Sequence, residues 1–170
     1  MALIKRALAP SACAALLALL MAALAPSTQA QLAAADPDWK ESEAPAPPKF
    51  NTSGLIGFDV NVNSSMRWAV DPASLAITPE GIVRYVAVAQ SPSGVMNAMY
   101  EGIRCATGEY KTYARFNRDS GWSAVGTPSW KSMAEIQPSR HALALAKQGL
   151  CTGSAPAAST GDIVRSLKAR

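Results

Sequence analysis

The sequence is poor in the residues that most enzymes and metalloproteins use for chemistry. Its 170 residues include three cysteines and a single histidine, and no two cysteines stand in a C-x-x-C spacing. A metal site usually takes three or four ligands, and a thiol nucleophile needs a base beside it. The sequence also lacks a phosphate-binding loop, a paired-carboxylate spacing and a Ser-His-Asp order. These absences predict no metal ion, no other cofactor and no catalytic residues.

The chain also lacks a large excess of positive or negative charge. The chain has 16 Lys and Arg side chains against 12 Asp and Glu, and two of the basic ones, Lys5 and Arg6, lie in a segment that we expect to be removed. The remaining 14 against 12 are scattered along the chain. Because nucleic-acid-binding domains present a concentrated basic surface to the phosphates, this composition argues against a nucleic-acid partner.

One apolar run stands out, and it lies close to the N-terminus. Residues 12–25, ACAALLALLMAALA, follow two positive charges and precede the small residues before Gln31. This order is typical of a secretory signal peptide, and the run is shorter than the about 20 residues that span a bilayer. We expect residues 1–30 to be removed, with cleavage after Ala30 favoured over Ala35. The mature chain would then be periplasmic and without a membrane anchor.

Both flanks of the mature chain have compositions that do not favour folding. Residues 31–51 hold four prolines and several charges, with few large apolar residues such as Trp39. Such stretches bury too little apolar surface to offset chain entropy. We expect 31–51 to be a Pro-rich disordered linker and 152–170 to be a disordered tail, with one short helical turn at Asp162. The folded unit is then 52–151, which is large enough for only a modest core.

The hydrophobic pattern inside the folded unit predicts strands. Residues 81–90, GIVRYVAVAQ, are apolar on both alternating faces, which is typical of a central strand covered on both sides. We therefore expect Val86 and Val88 to be buried. Four further strands are predicted at 66–70, 74–78, 95–105 and 109–116. The short connections leave no room for crossover helices, so the sheet should be antiparallel.

One helix is predicted near the end of the folded unit. The segment PSRHALALAKQGLC ends at Gly149, a residue type that commonly closes helices. The fold class is therefore α+β: a small antiparallel β-sheet of about five strands with one C-terminal helix packed on it.

Cys105 and Cys151 are the two cysteines that remain once Cys13 leaves with the signal peptide. An even count in an exported protein predicts a disulfide, which would tie the central hairpin to the end of the helix. In the chain-entropy model such a bridge stabilises the fold by roughly 4 kcal/mol. A paired redox role is an alternative. A Cys105–His141 dyad of a thiol enzyme is another, although an oxidised sulfur is incompatible with it.

The other titratable residues provide no obvious acid–base pair. His141 lies early in the predicted helix, and we expect it at the surface or at the helix edge. Glu101 and Arg104 are three residues apart on one strand, so they should face opposite sides of the sheet. We expect both of them to be surface charges.

A candidate binding face lies on the second strand of the hairpin. Alternation places Lys111, Tyr113 and Arg115 on one side of this strand, and Arg118 follows in the next turn. Basic and aromatic side chains in this arrangement suit a shallow contact with a glycan or a polyanion. A plain solvated sheet face is the alternative interpretation.

Several segments together resemble the CNP1-like family, uncharacterised exported proteins of Gram-negative bacteria. They are Val-Asp-x-x-Ser-Leu at 70–75, Gly-Ile-Val-Arg-Tyr at 81–85 and Tyr-Glu-Gly-Ile-Arg-Cys at 100–105, followed by Trp122, Trp130, His141 and Cys151. The likeness covers residues 36–152. It implies an exported location and a shared architecture, and it brings no known activity or catalytic residues.

These observations lead to two hypotheses about function. The first is an exported, non-enzymatic domain of the cell envelope that binds a protein or glycan partner. The second is a thiol-type hydrolase or redox protein that uses Cys105 with His141. The sequence indicates no oligomeric state.

Overall fold

The structure is a computed structural model that describes residues 36, 38–60, 64–135 and 140–169. The signal peptide and its cleavage site, predicted at 1–30, lie outside the described residues. Within the described part of the chain, no helix has the length and apolar character needed to cross a membrane.

The main sheet has eight strands within the described residues. They are β1 (Ile56–Phe58), β2 (Arg67–Val70), β3 (Ala76–Ile77), β4 (Ile82–Gln90), β5 (Met96–Arg104), β6 (Glu109–Asn117), β7 (Gly121–Ala124) and β8 (Lys131–Ser132). All of their pairings are antiparallel, as predicted. The predicted number of about five strands is too low. β1, β7 and β8 have two to four residues each and were missed because strands this short carry little periodic signal, although the equally short β2 and β3 fall within predicted strands.

β4 lies in the interior of the sheet. The strand order is β1-β2-β4-β5-β6-β7, with β3 also paired to β4 and β8 to β6. A 3₁₀ turn (Pro72–Ser74) connects β2 to β3. Val86 and Val88 are 0% and 2% exposed on one face of β4, and Val83 and Tyr85 are fully buried on the other, which confirms the prediction of a central strand with two buried faces.

Helices cover one face of the sheet, which we call the first face. α1 (His141–Leu145) continues into a wider π-type turn (Ala146–Leu150), and a short hairpin of β9 (Cys151–Thr152) and β10 (Ala155–Pro156) leads to α2 (Thr160–Lys168). Leu145 and Leu150 are fully buried in one apolar layer with Val83 and Tyr85. Gly149 closes the turn with a φ of 144°, and a Cβ there would lie 2.7 Å from Cβ of Ser166. The predicted end of the helix at Gly149 is thus confirmed.

The C-terminal segment differs from the predicted disordered tail at 152–170. Ser159 caps the start of α2, and its hydroxyl accepts a hydrogen bond from the backbone N–H of Asp162 at 3.1 Å. Ile163 and Leu167 lie four residues apart on one helix face, and both are buried in the first apolar layer. Composition misses this helix because two well-placed apolar residues suffice to dock it.

An extended segment covers the second face of the sheet. Residues 38–50, which we call the N-terminal strap, contain no strand or helix. Ala44 and Phe50 of the strap pack against a second apolar layer that contains Val86, Val88 and Tyr100. For residues 38–50, the strap therefore corrects the prediction of a disordered linker at 31–51. It also provides the second cover that the two apolar faces of β4 require.

The disulfide joins the end of the β5–β6 hairpin to the helical layer. Cys105 and Cys151 are bonded, their Cα atoms are 5.7 Å apart, and they are separated by 46 positions in the sequence. The prediction of this pair is confirmed.

Candidate functional site

A carboxylate lies inside the protein between the sheet and α1. Glu101 on β5 stands opposite Tyr85 on β4 and Thr112 on β6 in the sheet register. Its Oε2 accepts a hydrogen bond from Tyr85 Oη at 3.0 Å and lies 2.7 Å from Nε2 of His141. Its Oε1 accepts from Thr112 Oγ1 at 2.9 Å. We call these four residues the buried Glu101 cluster.

Aromatic rings enclose the imidazole of this cluster. The Trp68 ring stacks on His141 with centroids 4.4 Å apart, and the Tyr110 ring meets it edge-on at 6.0 Å. Glu101 is 1% exposed and His141 is 5% exposed. The prediction that Glu101 is a surface charge is therefore wrong, and His141, predicted at the surface or at the helix edge, is a buried residue at the start of α1. The Glu101 carboxylate is tolerated inside because His141 and the two hydroxyl groups replace the hydration that it loses.

The electrostatics of the cluster favour the ionised form of Glu101 at neutral pH. Burial raises the pKa of Glu101, but the His141 charge and the hydrogen bonds from His141, Thr112 and Tyr85 outweigh burial, so that its pKa lies below the ordinary 4.5. Burial and the neighbouring carboxylate hold the pKa of Tyr85 well above 10.0, so Tyr85 remains a hydrogen-bond donor. Because His141 is the first residue of α1, its contact with the Glu101 carboxylate is suited to holding this helix on the sheet.

The two residues of the thiol-enzyme hypothesis are engaged elsewhere. The Cys105 sulfur is bonded to Cys151, and Nε2 of His141 faces Glu101. A thiolate at Cys105 would first require reduction of the disulfide. Among the residues that the structure describes, no three His, Cys, Asp or Glu side chains form a group that could hold a metal ion.

A second polar site lies under the strap, on the opposite face of the sheet. Oε2 of Glu41 accepts hydrogen bonds from Lys111 Nζ at 2.7 Å and from Trp130 Nε1 at 3.0 Å. Its Oε1 accepts from Tyr113 Oη at 2.7 Å and lies 4.0 Å from Nη2 of Arg84. We call Arg84, Lys111, Tyr113 and Trp130 the carboxylate clamp. The sequence did not reveal it because its ligand lies in a segment whose composition predicts disorder.

The charges of the clamp match its occupant. Although burial raises the pKa of Glu41, hydrogen bonds from Lys111 and Tyr113 and the Lys111 charge bring it below 4.5. Burial and the hydrogen bond to Glu41 hold the pKa of Tyr113 well above 10.0. At neutral pH the clamp therefore holds a carboxylate with neutral and cationic donors.

A β-bulge and a glycine shape the clamp. Between β5 and β6, Glu101 stands opposite Thr112 and Tyr100 opposite Ala114, so Tyr113 is the extra residue of the bulge. A Cβ on Gly102 would lie 2.7 Å from Tyr113 Oη, so only glycine leaves room for this ring.

The bulge also divides the predicted binding face of Lys111, Tyr113, Arg115 and Arg118. Lys111 and Tyr113 point to the strap, whereas Arg115 stands opposite Met99, whose side chain belongs to the first apolar layer. Arg118 is exposed in the turn after β6. The prediction that Lys111, Tyr113 and Arg115 share one side is therefore wrong, because the extra residue of the bulge shifts the alternation.

A half-buried aromatic groove lies where the strap meets β6 and β7. The rings of Phe50, Phe116 and Trp122 contact one another edge-on, with centroids 5.0 to 5.7 Å apart. Trp122 Nε1 donates to the backbone oxygen of Pro48 at 3.2 Å, which fixes the ring. The groove has a volume of about 450 Å³, and Lys49 and Arg118 are exposed at its sides. We call this feature the aromatic groove.

Comparison with known proteins places the chain in a family. Cryptic neisserial protein 1 of Neisseria gonorrhoeae is 28% identical over 153 residues, which cover 81% of this chain and 75% of that protein. No solved structure matches the chain. The sequence model of the CNP1-like family matches residues 34–168. This range contains the strap, the clamp, the aromatic groove and every described strand and helix, and the chain therefore belongs to the CNP1-like family.

Proposed function

We propose that this chain is an exported, non-enzymatic domain of the cell envelope that binds a protein or glycan partner in the aromatic groove. The observation that carries the proposal is the groove itself: three aromatic rings, held by mutual contacts and by Pro48, with cationic side chains beside them. Export is supported by the disulfide, which is typical of oxidising compartments, and by the N-terminal sequence.

The chemistry of the groove favours an anionic glycan among these partners. Aromatic faces provide flat apolar contact for sugar rings, and Lys49 and Arg118 provide charge for carboxylate or phosphate substituents. The buried Glu101 cluster offers no comparable access, because its carboxylate is 1% exposed.

Site-specific photocrosslinking in intact cells tests this proposal. A benzophenone amino acid at position 52 should give a discrete adduct, because this exposed position lines the groove and leaves Lys49, Arg118 and the three aromatic rings in place. Mass spectrometry of the adduct would distinguish a glycan from a protein. The same probe at position 168, exposed on α2, is the matched control.

The expected result is an adduct from position 52 that Trp122→Ala abolishes, with none from position 168. Equal adducts from both positions, or an adduct that persists in Trp122→Ala, would contradict a specific partner in the groove. Circular dichroism of the purified Trp122→Ala protein shows whether the variant keeps the sheet.

A further inference from the structure

The aromatic groove adjoins a second cavity. This cavity, which we call the turn pocket, has a volume of about 510 Å³ and lies between the β4–β5 turn and the β6–β7 turn. It is lined by residues 93–97 and 116–119. Met96, Phe116 and Arg118 line both the turn pocket and the aromatic groove, so the two cavities form one continuous trough.

The trough is larger than one sugar ring requires. Sites for small molecules have volumes of about 300–1,000 Å³, and the aromatic groove and the turn pocket each fall within this range. Met96, Phe116 and Trp122 lie on the neighbouring strands β5, β6 and β7. Because neighbouring strands are about 4.8 Å apart, the aromatic groove alone crosses about 10 Å of the sheet. A glycan that fills both cavities is therefore a chain of at least two sugars.

The two halves of the trough differ in charge. Lys49 lines only the aromatic groove, Asp119 lines only the turn pocket, and Arg118 lines both. All three side chains are exposed, and none of them forms a salt bridge with a described residue. The aromatic groove therefore presents two cations to a ligand, whereas in the turn pocket the Asp119 carboxylate balances the charge of Arg118.

Hydrogen bonds hold both turns of the turn pocket in shape. The backbone N–H of Asp119 donates to Oδ1 of Asn117 at 2.9 Å. In the other turn, the Ser91 N–H donates to the backbone oxygen of Val95 at 2.9 Å, and the Val95 N–H donates to Ser91 Oγ at 3.1 Å. The turn pocket is thus formed before a ligand binds, and the backbone that carries the Asp119 carboxylate is fixed at its edge.

We propose that the trough binds a linear oligosaccharide in which an acidic sugar is linked to a neutral sugar, and that Asp119 selects the neutral one. This inference rests on the proposed function, because the acidic sugar lies on the rings of the aromatic groove with its anionic group near Lys49 and Arg118. The next sugar enters the turn pocket, where the Asp119 carboxylate accepts hydrogen bonds from its hydroxyl groups. A second acidic sugar is disfavoured there, because its charge would lie beside that of Asp119.

An exposed valine favours an N-acetylated sugar in the turn pocket. Val95 is 56% exposed and is the one large hydrophobic residue of the described chain that is exposed. It lines the turn pocket and not the aromatic groove. Its side chain would provide apolar contact for the methyl group of an acetamido substituent.

Isothermal titration calorimetry on the full mature chain tests this choice of sugars. The probes are glucuronic acid, a hyaluronan tetrasaccharide, in which glucuronic acid alternates with N-acetylglucosamine, and tetragalacturonate, in which every sugar is acidic. We expect the hyaluronan tetrasaccharide to bind about tenfold more tightly than glucuronic acid, the factor that one or two further hydrogen bonds supply. Tetragalacturonate should bind more weakly than the hyaluronan tetrasaccharide.

Asp119→Asn isolates the charge that makes the selection. It keeps an oxygen acceptor, so the affinity for the hyaluronan tetrasaccharide should stay unchanged. The affinity for tetragalacturonate should rise about fivefold, the factor for one pair of like charges about 4 Å apart in water. In about 1 M salt, where the screening length is about 3 Å, this gain should disappear.

Asp59→Asn is the matched control. It changes the net charge by the same amount at an exposed position that does not line the trough, so it should alter neither affinity. Circular dichroism shows whether each variant keeps the sheet. If Asp119→Asn does not fold, Asp119→Ser carries the same test.

Two results overturn the inference and leave the proposed function in place. The first is equal affinity for glucuronic acid and the hyaluronan tetrasaccharide, with both lost in Trp122→Ala. The second is an equal effect of Asp119→Asn and Asp59→Asn on the binding of tetragalacturonate. Absence of binding by all three probes also overturns the inference, and the photocrosslinking adduct from position 52 then decides the proposed function separately.

Discussion

Glu101 is an acidic residue in the interior, and its neighbours determine whether the fold tolerates it. Its register with Tyr85 and Thr112 follows from the hairpin alignment of β4, β5 and β6. His141 reaches it from a helix some 40 residues later in the chain. The sequence does contain a signal for its burial, because Glu101 interrupts a mainly apolar strand. The partner could not be predicted, since nothing local to Glu101 indicates where α1 docks.

Replacing Glu101 with Gln should destabilise the domain by about 3–5 kcal/mol, because the buried imidazole loses its charge partner. Urea unfolding of the purified protein measures this loss. Glu109→Gln, a partly exposed carboxylate on the neighbouring strand, serves as the control and should change stability by less than about 1 kcal/mol. Equal effects of the two substitutions would show that the buried pair does not stabilise the fold.

The same residue should make the fold sensitive to acid. Because the folded pKa of Glu101 lies below 4.5, its contribution is fully present above the unfolded pKa and is lost as the pH falls through the folded pKa. Below about pH 4.5 the wild type should therefore lose stability more steeply than Glu101→Gln. Urea midpoints measured across this range provide the check, and parallel curves for the two proteins would refute it.

At the scale of elements, the long regular strands could be predicted, whereas most of the short or irregular elements could not. β4 has nine residues with apolar side chains on both faces, so its hydrophobic pattern was sufficient to predict a central strand. The bulge at Tyr113 and the docking of the strap depend on contacts between distant residues. The Glu41–Lys111 pair, for example, is 70 positions apart in the sequence. Polar contacts of this kind leave no periodic signal.

The two covered faces of β4 give a direct test at this scale. Val86 is fully buried, so Val86→Asp would place an unpaired carboxylate in the layer under the strap and should prevent folding. Val95→Asp is the matched control, since Val95 is 56% exposed in the turn before β5. Thermal unfolding followed by circular dichroism compares the two. A cooperative transition of Val86→Asp at the wild-type temperature would contradict the central position of β4.

At the scale of the whole molecule, the sheet lies between two covers that are attached differently. The helical layer is linked to the β5–β6 hairpin by a covalent bond between Cys105 and Cys151. The strap is held by the clamp and by aromatic contacts. The cysteine pairing followed from the two cysteines that remain once Cys13 is assigned to the predicted signal peptide. The docking of the strap did not, because its ion pairs and hydrogen bonds add to a few apolar contacts, and composition registers only apolar residues.

Loss of the disulfide should therefore weaken the helical side. We expect Cys105→Ser and Cys151→Ser each to lower stability by roughly 2–5 kcal/mol. The double variant should be no less stable than either single one, because each single change already removes the whole bond. Denaturant unfolding under non-reducing conditions compares all three, and additive losses would show that the two cysteines act independently.

The most direct test of an exported, disulfide-bonded and non-enzymatic domain is intact mass spectrometry of the protein from a periplasmic fraction, with and without an alkylating agent. We predict a mature chain that begins at Gln31 or Asp36. It should take up no alkyl groups before reduction, and one each at Cys105 and Cys151 afterwards. A chain that begins at Met1, or one alkylated at Cys105 without reduction, would contradict the account and favour the thiol-enzyme alternative.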